Sequence, residues 1–221
     1  MIPVTVAVIA KAPVPGQAKT RLAATVGDRA AAEIAAAGLL DTLDAVEATH
    51  VQARVLALTG DLQQASNGGE IRSRIGAFQV VEQRGVDFSA RLANAIVDSQ
   101  EAAGARPVLL IASDTPQVTS VLLTECAQAL LQTDAVLGVA RDGGWWVLGV
   151  IDAAMADCLH AIPTSRSDTG PATLAALRDK GIDVTLVAEL SDVDTIDDVH
   201  AVRDLCAPDS RFVRATKAAG I

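Results

Sequence analysis

Short apolar runs alternate along the chain with longer amphipathic stretches. Val4-Thr5-Val6-Ala7-Val8-Ile9-Ala10 is rich in β-formers and free of charge, the pattern of a strand buried on both faces. Val108-Leu109-Leu110-Ile111 repeats it in mid-chain, and 54–59, 78–82, 135–139 and 184–187 are further strand candidates. The segments between them carry helical period. From Ala30 to Val46 the positions Ala36, Leu39, Leu40, Leu43 and Val46 share one face. Asp87 suits the cap of a helix reaching Ala103, Thr119 one through Leu131, and Thr195 a third with Asp197 and Asp198 in its first turn, while Pro171 suits the start of a helix to Lys180. Gln63 to Glu70 reads as an exposed connection with Asn67-Gly68-Gly69 a flexible loop, and the polar residues after Ala207 as a loosely packed tail. Strands alternating with helices predict an α/β fold with a mostly parallel central sheet. The expected division is one α/β domain over 1–207 and a tail over 208–221.

Composition narrows the function. With 221 residues, half of them hydrophobic, one domain can bury a large core. A formal charge of −9 argues against a general nucleic-acid or anionic-membrane surface, so an anionic substrate needs a local basic site. The first residues lack the pattern of a signal peptide, and no apolar run approaches the ~20 residues of a membrane span. A cytoplasmic protein is the expectation. Cys126, Cys158 and Cys206 are far apart and fit no zinc spacing, so they read as buried reduced thiols. Exposed apolar positions leave room for a homo-oligomeric interface.

Against this background four stretches carry candidate chemistry. In the first, the strand ending at Ile111 runs into Ala112-Ser113-Asp114-Thr115-Pro116, which puts a carboxylate where open α/β sheets keep their ligand crevice. Asp114 either caps the following helix or meets a divalent cation, since Mg²⁺ is commonly held by one or two carboxylates plus substrate phosphates. In the second, the loop after the first strand places Lys11, Lys19 and Arg21 within eleven positions, stiffened by Pro13 and Pro15 and freed by Gly16. Converging, these cations suit a di- or triphosphate, although no Walker A pattern is present. Arg91, near a helix start, either reaches a phosphate or base or lies on the surface.

The third stretch is Arg141-Asp142-Gly143-Gly144-Trp145-Trp146. It holds both tryptophans of a chain with five aromatic residues, and it reads either as a sugar or base pocket or as an Asp-Gly hairpin with core tryptophans. The polar loop through Thr164 and Ser165 is a candidate lid or acceptor wall. In the fourth, Asp192 and Asp194 at spacing two in an extended segment point to one side, toward any cation held by Asp114. His50, His160 and His200 stand alone, and the absence of GxSxG argues against an α/β serine hydrolase.

The order Lys11-Ala12-Pro13, Pro15-Gly16, Lys19-Thr20-Arg21-Leu22, Ser113-Asp114-Thr115-Pro116, Asp142-Gly143-Gly144-Trp145-Trp146-Val147-Leu148-Gly149 and Asp192-Val193-Asp194-Thr195 resembles a bacterial family described as glycosyltransferase A-like transferases. That family is related to the molybdopterin and 2-phospholactate guanylyltransferases. The resemblance spans about residues 4–205 and implies a GT-A (nucleotide-diphospho-sugar transferase) fold with a nucleotide-binding first half and an acceptor-binding second half. It further implies that Lys19, Arg21 and, more weakly, Lys11 meet nucleotide phosphates. Asp114 would bind Mg²⁺ or Mn²⁺ with Asp194 or Asp192 as the second acidic contact, and Gly143 and Gly144 would lie against a sugar.

The chain departs from the family in carrying Thr164-Ser165 where many members have Trp-Ser, and Ala112 where a glycine often precedes Ser-Asp. The implied activity is metal-dependent transfer from a nucleotide-diphospho-sugar to a small acceptor, with Asp142 the first carboxylate to test as general base. A nucleotidyltransferase that joins a nucleoside triphosphate to a phosphorylated acceptor and releases pyrophosphate is the alternative. A non-catalytic nucleotide-binding protein is a third reading.

Overall fold

The apolar run at the start of the chain pairs with two others, and that pairing organises the rest. In the computed structural model, which describes residues 1–221, β1 (Ile2–Lys11) lies parallel to β2 (Val51–Thr59) on one side and to β4 (Val108–Ala112) on the other. With β3 (Gln79–Glu82), β5 (Ala135–Val139), β6 (Trp145–Val150) and β7 (Val184–Leu186) these form one seven-stranded sheet in the order β3-β2-β1-β4-β6-β5-β7. Only β6 runs antiparallel, between β4 and β5. From β1 the chain moves outward to β2 and β3, then crosses back to β4 on the opposite side. The carboxyl ends of β1 and β4 therefore flank a topological switch point, the place where such sheets leave a crevice.

Period-2 alternation along β1 sorts its side chains into two cores. Val4, Val6, Val8 and Ala10 join Leu39, Leu40 and Leu43 of α2 (Asp28–Ala48) and Leu123, Cys126 and Leu130 of α5 (Ser120–Leu130). Ala7 and Ile9 face Leu92, Ala93 and Ile96 of α4 (Phe88–Ala102), with Leu159 from a 3₁₀ segment over Ala153–Ala161 and Leu177 of α6 (Thr169–Asp179). Burial on both faces is why β1 and β4 read as unbroken apolar runs. No helix is long and apolar enough to cross a membrane.

The expected caps form. Asp87 accepts from the Ala90 N–H and Thr119 from the Leu122 N–H, and Thr195 and Asp198 make a reciprocal capping box at α7 (Ile196–Arg203). Cys126 and Cys158 are buried, Cys206 is half-buried, and all three are free thiols. Burial pushes the Cys126 thiol up to about 12, which keeps it un-ionised and inert at neutral pH.

Three expectations need correction. Asn67-Gly68-Gly69 is not a flexible loop: Asn67 adopts a left-handed conformation at the start of α3 (Gly68–Arg74), where Gly68 is buried. Thr20, Arg21 and Leu22, read as the end of the loop after the first strand, are the first turn of helix α1 (Thr20–Val26). The tail is not loosely packed either, since Arg211–Ala218 forms α8 against α2. Phe212 and Val213 are buried there, and Phe212 joins a small cluster with Leu22, Ile34, Val193, Val199 and Val202. Arg211 pairs with Asp41, Asp44 and Glu70. Of the polar residues that suggested a loose tail, Arg214 and Lys217 are exposed, whereas Arg211 and Thr216 turn inward with the two apolar anchors.

Phe212→Ala should therefore destabilise the protein by roughly 3–5 kcal/mol in chemical denaturation, the cost of emptying a buried aromatic site. Exposed Lys217→Ala should stay within about 0.5 kcal/mol.

Candidate functional site

The loop that leaves β1 and the loop that leaves β4 open on the same end of the sheet, and their charged residues meet there. Lys19 stands just before α1 with φ 47 and ψ 52, a left-handed conformation uncommon for a residue with a side chain. Its ammonium donates to Asp114 Oδ2 at 2.9 Å and to Asp194 Oδ1 at 2.7 Å. Arg21 Nη1 reaches Asp194 Oδ2 at 3.4 Å. Two further hydrogen bonds hold the acidic segments together: Val193 N–H donates to the Asp114 carbonyl at 3.0 Å, and Gln117 Nε2 to the Ser191 carbonyl at 2.6 Å. The Asp192–Asp194 stretch is thus pinned across the end of β4. Asp114 caps no helix, because the cap of α5 is Thr119.

Asp114, Asp192 and Asp194 each offer an oxygen, and these oxygens lie within 4.8 Å of one another. Their charges show in their proton affinities. Burial first, then the neighbouring charges of Asp142, Asp114 and Asp194, pushes the Asp192 carboxyl up to about 6. Burial also works on Asp194, but the Lys19 ammonium and Arg21 outweigh it and hold this carboxyl below the usual range. For Lys19 burial disfavours the charge, yet the two carboxylates hold its pKa well above that of an ordinary lysine. The donor set fits a hard divalent cation: three carboxylates, with the Asp114 and Asp194 side chains about one-third exposed, leave room for water or phosphate oxygens.

Two clefts adjoin this cluster. One of about 460 Å³ is lined by Lys11, Lys19, Arg21, Thr59, Gln83 and Arg91 among others. The second, of about 360 Å³, is lined by Asp142, Gly144, Trp145, Thr164, Ser165 and Asp192 among others. Ile9, Arg21, Phe88, Ala112, Asp114 and Asp194 line both. The carboxylates accordingly stand at the junction.

Other candidate residues occupy more varied places. Lys11 lines the first cleft but its ammonium is exposed and donates to the Gln17 carbonyl at 3.0 Å, apart from the carboxylates. Arg91 lines the same cleft and makes a long contact of 3.4 Å to the Gly85 carbonyl. Asp142 Oδ1 accepts from the Gly144 N–H at 2.7 Å, a short local turn that leaves its other oxygen free of protein hydrogen bonds. Gly143 has φ 94, and a Cβ there would strike the Ser167 carbonyl, so packing of chain on chain requires this glycine. The two tryptophans divide the roles foreseen for them. Both line the second cleft, but Trp145 is half-buried there, while Trp146 is almost fully buried in the core shared with α2 and α5 and donates from Nε1 to the Ala188 carbonyl at 2.8 Å.

Two residues of the clefts escaped the sequence reading. Gln83 Nε2 donates to the carbonyls of Ala10 at 2.7 Å and Ala57 at 2.8 Å, tying the ends of β1 and β2 together below the first cleft. Phe88 lies between the clefts as the first residue of α4 and is nearly half exposed. Its only signal was position: one of three phenylalanines, placed directly after a capping aspartate.

The chain belongs to the DUF2064 family, described as uncharacterized proteins conserved in bacteria, whose model matches residues 42–166, more than half of the sequence. No curated protein matches it. Among solved structures it is similar to a candidate nucleotide-diphospho-sugar transferase from Desulfovibrio desulfuricans, with a TM-score of 0.85 at 24% identity over 99% of this chain and 97% of that one. A nucleotidyl transferase from Methanothermobacter matches with a TM-score of 0.58 at 18% identity, over 96% and 98% of the two chains. Rv0371c of Mycobacterium tuberculosis, solved in complex with manganese, matches with a TM-score of 0.55 at 20% identity, over 90% and 97%. The fold is that of the nucleotide-diphospho-sugar transferases.

The raised Asp192 pKa has a consequence for stability. A carboxyl whose folded-state pKa lies above its unfolded value destabilises the fold once the pH exceeds both, and that penalty disappears as acid protonates it in both states. Asp192→Asn should raise the melting temperature of the metal-free protein at neutral pH. The gain should shrink as the pH falls through about 6 and vanish below the ordinary aspartate range near ~4.

Proposed function

We propose that this chain is a metal-dependent transferase that takes a nucleotide-diphospho-sugar in the first cleft and an acceptor in the second. The observation that carries this reading is the shared wall. Asp114, Asp194 and Arg21 line both clefts, so a diphosphate entering from one side and an acceptor entering from the other meet at the same charged groups. A transferase needs that geometry, because holding two reactants in line replaces a bimolecular encounter by a unimolecular step.

Each residue has a part. Lys19 and Arg21 neutralise the diphosphate, Arg21 from an exposed position at the cleft mouth and Lys19 from within. Asp114 with Asp194 and Asp192 would hold Mg²⁺ or Mn²⁺, which when bound would stabilise the charge on a departing nucleoside diphosphate. Lys11 and Arg91 extend the positive lining of the nucleotide cleft. Trp145, Gly144 and Ser165 form the acceptor side, where Asp142 is the carboxylate placed to take a proton from an attacking hydroxyl. Gly143 serves that side indirectly, by letting the turn pack against Ser167.

The manganese held by a protein of similar fold supports the metal assignment, and the nucleotidyl transferase among the similar folds supports a second chemistry for the same groups. In that second reading a substrate phosphate attacks the α-phosphate of a nucleoside triphosphate. The two differ in donor and in leaving group.

Calorimetric titration with nucleoside diphosphates, nucleoside triphosphates and nucleotide-sugars, with and without Mn²⁺, separates them. The expected result is binding of one nucleotide-diphospho-sugar that depends on Mn²⁺ and is lost in Asp114→Ala, with folding of the variant checked by circular dichroism. Preference for a triphosphate, with pyrophosphate released on addition of a phosphorylated acceptor, would replace sugar transfer by nucleotidyl transfer. Absence of all nucleotide binding would overturn both.

A further inference from the structure

We infer that Lys19 is a tethered counter-ion that keeps free divalent metal out of the carboxylate site until a phosphate-bearing ligand draws its ammonium away. The inference rests on the metal reading given above and adds an order of events to it. Lys19 Nζ lies 2.9 Å from Asp114 Oδ2 and 2.7 Å from Asp194 Oδ1. A cation bridging the same two oxygens at ordinary metal–oxygen distances would stand within contact distance of that nitrogen, so the two charges cannot share the place. The lysine side chain is only 17% exposed, which makes it a close competitor and not a mobile surface charge.

Its backbone is in a sparsely populated conformation. Lys19 is held in the left-handed region, with φ 47 and ψ 52. Gly16, at φ 76, and the exposed Pro15 and Gln17 lie just upstream, so the loop has a pivot three residues before the lysine. The long lysine side chain can swing its ammonium from the carboxylates to a phosphate in the adjoining cleft, which Lys19 itself lines. Because coupling is reciprocal, a ligand that removes Lys19 from the carboxylates strengthens metal binding, and metal strengthens the binding of that ligand.

Arg21 does not duplicate this role. It touches only Asp194, at 3.4 Å, and its side chain is 70% exposed. Neutralising Lys19 should leave the three carboxylates without their near cation, and the site should then accept a metal ion alone.

The test is binding of Mn²⁺ alone, followed by loss of the free-ion paramagnetic resonance signal, to wild type, Lys19→Met, Lys19→Arg and Lys19→Met combined with Asp114→Asn. Thermal melts confirm that each variant is folded. The expected result is weak binding to wild type and Lys19→Arg, and binding at least about tenfold tighter to Lys19→Met that the added Asp114→Asn removes, because one lost charge at contact distance outweighs that factor even when partly screened. Wild type binding Mn²⁺ as tightly as Lys19→Met would overturn the counter-ion role and leave the metal site standing. Equally weak binding to wild type and to Lys19→Met would also overturn the counter-ion role, and the Mn²⁺ dependence of nucleotide binding then decides separately whether the metal site stands.

Discussion

Three carboxylates brought within 4.8 Å of one another have to be compensated, and in this protein one lysine does most of that. Lys19 arrives from the loop after β1, Asp114 from the end of β4, and Asp194 from the segment that precedes α7. The arrangement exists only because β1 and β4 are neighbours in the sheet although Lys11 and Val108 lie 97 positions apart in the chain. The parallel pairing is secured by burial on both faces, and the hydrogen bonds from Val193 to the Asp114 carbonyl and from Gln117 to the Ser191 carbonyl then fix the third partner. The core thus supplies the stability, and the site is a concentration of unfavourable charge held at its edge. Such placement is common where a fold must bind another charged species, since perturbed groups cluster at functional positions.

The two clefts follow from the same topology. One lies over the parallel half of the sheet, between the loops after β1 and β3. The other lies over the β4–β6–β5 portion, where the antiparallel strand β6 brings Asp142, Gly144 and Trp145 back to the carboxyl end of β4. Reversal of a single strand thereby gives the second half a different wall from the first. In the proposed reading this is the physical basis for separating donor from acceptor while keeping both against Asp114.

Much of this was legible in the sequence because it depends on local pattern. The buried runs of β1 and β4, the caps at Asp87, Thr119 and Thr195, and the concentration of Lys11, Lys19 and Arg21 in an acidic chain are all short-range features. The pairing of Asp192 and Asp194 with Asp114 was approached through strand geometry, at spacing two. The direct contact of Lys19 with both Asp114 and Asp194 was not visible, since a contact across 95 and 175 positions has no local signature. Helix α8 was missed for a different reason: its inner face has only two large apolar residues, Phe212 and Val213, beside the buried Thr216, within a polar segment. The packing of Gly143 on Ser167 was not visible either, because a left-handed glycine needed by packing and one needed by a substrate look the same in one dimension.

The central claim is that the carboxylates at the cleft junction hold a metal ion beside a nucleotide diphosphate. A crystal structure grown with Mn²⁺ and the nucleotide that binds in calorimetry, with anomalous data collected at the manganese edge, tests it most directly. The account predicts one strong anomalous peak coordinated by Asp114 with Asp194 or Asp192, and the Lys19 ammonium displaced from those carboxylates onto the diphosphate. A bound nucleotide with no peak there, or with Lys19 still bridging Asp114 and Asp194, would contradict it.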